Sequence, residues 1–246
     1  MLLSLTKKWK RRVLDTLYPL HCPACRSGLP EGAVAGDFCR SCTEVMVPVE
    51  PPFCQQCAEP FMGEITGDFT CPNCAGMKLA FDFTVCLWLS RGPVREAVHR
   101  LKYEKFRTGR LALARLMLPA LEDSRLAGMP WLLVPVPLHA SRERERTYNQ
   151  SAEIARTVAR LAGIEWAPAL RRTRKTESQA GLNRAARLKN LRGAFAVRSR
   201  CARLLQSRSI LLVDDVLTTG ATAHECAQVL KKAGASRVAV LTAARG

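Results

Sequence analysis

Eight cysteines between residues 22 and 74 fall into four Cys-x-x-Cys pairs: Cys22/Cys25, Cys39/Cys42, Cys54/Cys57 and Cys71/Cys74. Thirteen residues separate the first pair from the second, and thirteen the third from the fourth, so the arrangement repeats with a period of 32. A Cys-x-x-Cys turn aims two thiolates at one point, and two such turns complete a tetrahedral S4 site suited to Zn2+. Units this short cannot bury much core, so metal ligation has to supply their folding energy. The spacing predicts two copies of one small zinc ribbon, each with a structural ion. Sequential pairing within each repeat is expected, with interleaved pairing of the four turns as the alternative. Iron–sulfur ligation is the competing use of the same thiolates. His21, beside Cys22, is a spare ligand at most, and the unpaired Cys86, Cys201 and Cys226 read as core residues.

The first twenty residues, MLLSLTKKWKRRVLDTLYPL, place apolar residues before basic ones and lack a small-residue cleavage site. That is the wrong order for a secretory signal, so the cysteines are read as cytoplasmic thiols or metal ligands and not as disulfides. Leu2, Leu5, Trp9, Val13 and Leu17 share one helical face, which predicts an amphipathic helix over 1–20. It is expected to dock on its own protein, with the inner face of a membrane as the alternative. No apolar run approaches the roughly 20 residues a membrane span needs.

Beyond Cys74 the pattern changes, and a boundary is expected near residue 78: ribbons over 21–78, a second domain over 79–246. FDFTVCLWL, WLLVPVPL, AFAV, SILLVDDV and RVAVLT read as strands. PVREAVHRLKYEKF, GRLALARLMLPALE, NQSAEIARTVARLAG and TAHECAQVLKKAG read as helices. The third has an Asn before its first turn and Gly163 after its last. Strands alternating with helices imply an α/β fold with a mostly parallel sheet.

One of these strands ends unusually. LLVDDVLTTGAT, residues 211–222, runs from an apolar strand into two adjacent carboxylates and then a small, hydroxylated loop. In open α/β sheets ligands bind beyond the carboxyl ends of strands. The hydroxyls of Thr218, Thr219 and Thr222, the loop amides and the following helix N-terminus make a cradle for a phosphate. Gly220 keeps a side chain out of its way, and Ala221 stands where a nucleotide-hydrolysing loop would need lysine. Asp214 and Asp215 would repel a phosphate; they suit sugar hydroxyls or hydrated Mg2+. A sugar carrying both features is a ribose 5-phosphate.

This stretch resembles the 5-phosphoribosyl-1-pyrophosphate signature of type I phosphoribosyltransferases. Together with VPVPLHASRERERTYNQ, TESQAGLNRAARLKNLRGAF and the cysteine-rich front, the chain is similar to the ComF family, which joins a double zinc ribbon to a phosphoribosyltransferase domain and is associated with DNA uptake and competence. The resemblance implies that Asp214 and Asp215 hold the ribose hydroxyls and that Thr218, Thr219, Gly220, Ala221 and Thr222 hold the 5-phosphate, with Mg2+ accompanying the donor. It also implies a diphosphate loop over Pro135–Arg142 with Arg142 as its cation and Arg146 as a second candidate, and a lid carrying Arg174, Lys175, Thr176 and Gln179. Val216, Leu217 and Thr218 offer no carboxylate where purine-salvage relatives place one, which disfavours a 6-oxopurine acceptor. The family's usual Arg-Gly-Phe-Asn-Gln reads Arg146-Thr-Tyr-Asn-Gln150 here and loses a glycine.

The formal net charge is +17, with 38 Lys and Arg against 21 Asp and Glu, which argues for an anionic partner. Seven basic residues lie between Arg91 and Arg110 and eight between Arg171 and Arg192. Arg184, Arg187 and Asn190 recur at helical spacing and are expected to face the cleft. Two readings follow. One is an enzyme moving phosphoribose from the activated donor to an acceptor. The other is a non-catalytic module that handles single-stranded DNA beside an uptake motor protein and keeps the donor site as a sensor or relic.

Overall fold

The computed structural model describes residues 19–65, 67–104, 108–176 and 184–246. Nearly all of the helix expected over 1–20, Gln179 and the side chain of Arg184 lie outside the described residues.

The cysteine repeat is a repeat of structure. After the first pair of each copy the chain turns through a left-handed residue, Arg26 (φ 65°) and Ala58 (φ 56°). Their amides donate to the carbonyls of Cys22 and Cys54 at 3.1 and 2.8 Å, closing two matching knuckles. The second pair of each copy opens a short helix, α1 (Arg40–Glu44) and α2 (Pro72–Ala75), with Cys39 and Cys71 as extended N-caps. The thiols gather sequentially, Cys22, Cys25, Cys39 and Cys42 in one cluster and Cys54, Cys57, Cys71 and Cys74 in the other. Interleaved pairing is thereby excluded, and His21 joins neither cluster.

The remainder is α/β. A four-stranded, wholly parallel sheet runs in the order β1 (Thr84–Val85), β6 (Arg237–Arg245), β5 (Ser209–Leu217), β2 (Trp131–Pro135). Alternation along its strands sorts the core onto two faces. Leu132, Val134, Ile210, Leu212, Val238 and Val240 meet Cys226, Ala227 and Leu230 of α8 (Ala221–Lys232), and the second ribbon's cysteines join that cluster. Leu133, Leu211, Val213, Ala239 and Leu241 meet Ile154, Ala155 and Val158 of α6 (Gln150–Ala162) on the other face. There they also meet Val98 of α3 (Gly92–Tyr103) and Leu113 of α4 (Gly109–Met117). Cys86, Cys201 and Cys226 are buried, as expected of core residues.

Helix α6 has the punctuation its sequence predicts. The Asn149 side chain accepts from the Ala152 amide at 3.3 Å, and Gly163 ends the helix at φ 69°. The strand expected over FDFTVCLWL shrinks to Thr84–Val85, followed by bridges at Trp88 and Leu89. Two elements have no counterpart in the expected order: α5 (Ala140–Arg146) and β3 (Leu170–Arg172). The latter pairs antiparallel with β4 (Phe195–Val197).

Adjacent strands β2 and β5 thus send their chains to opposite faces, β2 towards α6 and β5 into α8. Such a reversal leaves a crevice at the strands' carboxyl ends. Asp214 and Asp215 stand there.

Candidate functional site

The crevice is a cleft of about 460 Å3. Of the residues singled out in the sequence, Asp214, Asp215, Thr218, Thr222, Arg142 and Arg146 line it. Arg187, on α7 (Arg184–Leu191), reaches it as expected, and Lys102, Ser151 and Arg172 line it without having been foreseen.

Lys102 and Ser151 hold the acidic pair. Ser151 Oγ donates to Asp214 Oδ1 at 2.8 Å, and the Asp215 amide donates to the same oxygen at 2.9 Å. Lys102 Nζ meets Asp215 Oδ1 at 2.9 Å. The described bonds leave Oδ2 of both carboxylates available to a ligand. Burial, and then the Asp215 charge beside it, push the Asp214 carboxyl up from 3.8 to about 7. Burial works against the Lys102 ammonium, but Asp215 more than offsets it and its pKa is raised. Lys102 ends α3 with Tyr103, and no strand-end motif announces it; only the basic run over 91–110 marks the region.

The threonine loop is held from two sides. Arg187 Nη1 donates to Thr218 Oγ1 at 3.0 Å from the cleft side. Thr219 Oγ1 accepts the Ala221 amide at 3.4 Å, and the Ala221 side chain is buried. Gly220 has φ 76°, and a Cβ there would stand 3.4 Å from the Phe81 ring. That is ordinary contact distance, so the positive φ is what explains the glycine. Thr218 and Thr222 therefore present side chains to the cleft, while Thr219, Gly220 and Ala221 shape the backbone at the N-terminus of α8.

The segment after β2 supplies the cations. Pro137 and Leu138 line the cleft, and α5 carries Arg142 and Arg146 into it one helical turn apart. The alternating Arg/Glu run is therefore a helix with a working face, and Arg144 lies exposed away from the cleft. His139 is a cap: its Nδ1 accepts the Ser141 amide at 3.2 Å. Where the family's usual motif has glycine, Thr147 takes the left-handed conformation itself, at φ 69°. Threonine makes this left-handed turn at a steric cost that glycine would not carry.

Of the expected lid residues, Thr176 accepts from the guanidinium of Arg172, which lines the cleft, whereas Arg174 and Lys175 are not brought in. Arg174 Nη2 donates to the carbonyls of Asn190 and Arg192 at 2.8 and 2.9 Å, and Lys175 is exposed. Neither lines the cleft. Asn190 does not line it either, because the cleft face of α7 at this point is Arg187.

Both cysteine clusters fit structural zinc. In each, four thiol sulfurs lie within 4.8 Å of one another, an all-sulfur donor set of tetrahedral size. A hydrogen bond from Cys74, and behind it the Arg245 charge, pull the Cys57 thiol down to about 5, while Cys74 is pushed up by its bond to Cys57. Thiols so crowded can be ionised together only around a cation. The second cluster also abuts the threonine loop. Arg245 Nη2 lies 4.0 Å from Cys57 Sγ and pairs with Glu59, while Nη1 donates to the Leu217 carbonyl at 3.0 Å. Gln56, between Cys54 and Cys57, donates to the Phe81 carbonyl at 3.2 Å, and the Ala80 amide donates to His224 Nδ1 at 3.0 Å.

Residues 13–76 match the family model of the double zinc ribbon domain. Competence protein F of Haemophilus influenzae is 30% identical over 179 residues, 71% of this chain and 78% of that protein. The chain belongs to the ComF family. DNA utilization protein YhgH of Escherichia coli is 36% identical to this ComF chain over 152 residues, 60% of it and 65% of YhgH, so the match spans just under two thirds of that relative. Competence protein ComFC of Streptococcus pneumoniae is 26% identical over 206 residues, 78% of the ComF chain here and 87% of the relative. Among solved structures, the glutamine phosphoribosylpyrophosphate amidotransferase of B. subtilis aligns over 55% of this chain and 26% of its own at 18% identity. Its TM-score of 0.36 is too low to bear on the site.

Proposed function

We propose that the cleft binds 5-phosphoribosyl-1-pyrophosphate with Mg2+, and that the chain moves phosphoribose to an acceptor in the service of DNA uptake. One observation carries the reading. Two carboxylates, the hydroxyls of Thr218 and Thr222 at a helix N-terminus and the pair Arg142 and Arg146 all line a single cleft. That set suits a ribose with a phosphate at one end and a diphosphate at the other.

In this reading Thr218, Thr222 and the α8 N-terminus hold the 5-phosphate. The Oδ2 atoms of Asp214 and Asp215 accept from the ribose hydroxyls. Arg142 and Arg146 hold the diphosphate. When the bond from ribose C1 to the diphosphate oxygen breaks, positive charge grows on the sugar and negative charge on the leaving group. The two arginines stabilise the latter and the acidic pair the former, both fixed before reaction. Asp214 and Asp215 are also the residues that would hold Mg2+, which when bound would supply further neutralisation of leaving-group charge. Arg174 and Lys175, held away from the cleft, are given no part in the ground state.

The link to DNA rests on the relatives, one called competence protein F and another DNA utilization protein. The net charge of +17 favours a second reading, a module handling single-stranded DNA whose donor site serves as a sensor. Calorimetric titration with donor and Mg2+, beside an Asp214→Asn/Asp215→Asn variant, tests the first: saturable binding is expected and is lost in the variant. Pyrophosphate release only when an acceptor pool is added separates transferase from sensor. Absence of binding in the unaltered protein overturns the donor reading.

A further inference from the structure

A second and larger concavity, about 760 Å3, opens on the other side of α7 from the donor cleft. Its walls are Met77 and Lys78 behind the second ribbon, α7 with the turn that follows it, and α8. Lys78, Lys189, Arg192 and Lys232 surround it, all exposed, and among the described residues none of the four has an ion-pair partner. The contrast with neighbouring cations is direct: Lys231, beside Lys232, pairs with Asp82 at 2.6 Å. The concavity's carboxylate, Glu225, is 7% exposed and accepts the Gly193 amide at 3.1 Å, so it is turned inward and already committed. Between the cations, Met77, Leu188 and Val229 form an apolar floor.

Like charges drawn around one hollow from three separate elements repel each other unless a polyanion enters. We infer that this groove holds the backbone of single-stranded nucleic acid. A bare strand can enter a concavity and lay its bases on an apolar floor, whereas a duplex, a convex rod, would bridge the mouth and leave the floor empty. No Phe, Tyr or Trp is among its described lining residues, and its one ring, the His224 imidazole, is tied through Nδ1 to the Ala80 amide at 3.0 Å, so stacking contributes little and phosphate contacts dominate. Binding is therefore expected to be tolerant of sequence and steeply dependent on salt. The inference uses no feature of the donor cleft; it gives the proposed association with DNA a surface.

The test is fluorescence anisotropy of the zinc-loaded full chain with a labelled oligothymidylate across a salt series. Four phosphate contacts predict a log–log slope of about −3, at about −0.7 per contact on a single strand. Lys189→Gln with Arg192→Gln is expected to flatten that slope by about 1.4 and to weaken binding at least tenfold at low salt. Adding Lys232→Gln is expected to weaken it further. The same variants are titrated with phosphoribosyl pyrophosphate, where unchanged affinity shows that the fold and donor cleft are intact. Wild-type affinity for the strand in the triple variant overturns the inference, as does equal binding of a duplex of the same length, or competition by a mononucleotide at the oligomer's own concentration. Loss of donor binding in the unaltered protein would remove the donor reading and leave this one standing.

Discussion

Replacing Asp214 by Asn is expected to make the ligand-free protein more stable while abolishing the proposed donor binding. Burial and the neighbouring Asp215 hold the Asp214 proton to about pH 7, against an ordinary value of 3.8. The folded chain thus binds that proton more tightly than the unfolded one. Stability from this position is complete below about pH 3.8 and is lost as the pH rises through 7. Taken at face value, the rise corresponds to about 4 kcal/mol of folding free energy lost by pH 8. Asp214 is half open to the cleft, so water reduces this, and we expect a gain of about 1–3 kcal/mol for Asp214→Asn at pH 8. Asn keeps an oxygen for Ser151 Oγ and for the Asp215 amide, so the geometry survives. The assay is urea unfolding of both proteins at fixed zinc, at pH 8 and pH 5. The gain should be largest at pH 8 and fall by about half or more at pH 5, where the native carboxyl is already protonated. A variant no more stable than the parent at pH 8, or one whose gain does not shrink with acid, refutes the electrostatic account of the pair.

Three further outcomes follow from the same geometry. Lys102→Met removes the cation at 2.9 Å from Asp215 and leaves the adjacent carboxylates of Asp214 and Asp215 without it; donor affinity should fall at least tenfold near pH 7 and recover little at higher pH, read by calorimetry. Thr147→Gly relieves a left-handed threonine and should raise stability by about 1 kcal/mol in urea unfolding, with donor binding unchanged. Arg245→Met breaks the tie between Cys57, Glu59 and the Leu217 carbonyl. Hydrogen exchange in peptides spanning 217–222 should rise with zinc content unchanged, and chelating the zinc should raise it in the parent protein too.

What the sequence disclosed and what it withheld divide along chemical range. The cysteine spacing disclosed both metal sites because ligands on one short turn must be close in sequence. The apolar run into Asp214 and Asp215 disclosed the crevice, because pairing with β2 stops at Val213; the strand itself continues through the pair to Leu217, with Asp214 opposite Thr242 of β6. Lys102 and Ser151 stayed hidden because they reach the acidic pair from helices 113 and 63 residues away, where nothing local distinguishes them from surface residues. Helix α5 was concealed by a different effect. Alternating Arg and Glu has no apolar stripe, and this helix has no buried residue, so periodicity could not report it. The resting place of Arg174 could not be read from the sequence because its carbonyl partners on Asn190 and Arg192 are met only once α7 and β3 are folded side by side.

The most direct measurement is hydrogen exchange of the zinc-loaded chain with and without phosphoribosyl pyrophosphate and Mg2+. The account predicts slowed exchange in peptides covering 214–224 and 135–146, the threonine loop with its acidic pair and the arginine helix, and none in those covering 77–79 and 228–232. Protection absent from 214–224, or appearing instead around Lys78 and Lys232, would contradict the donor site.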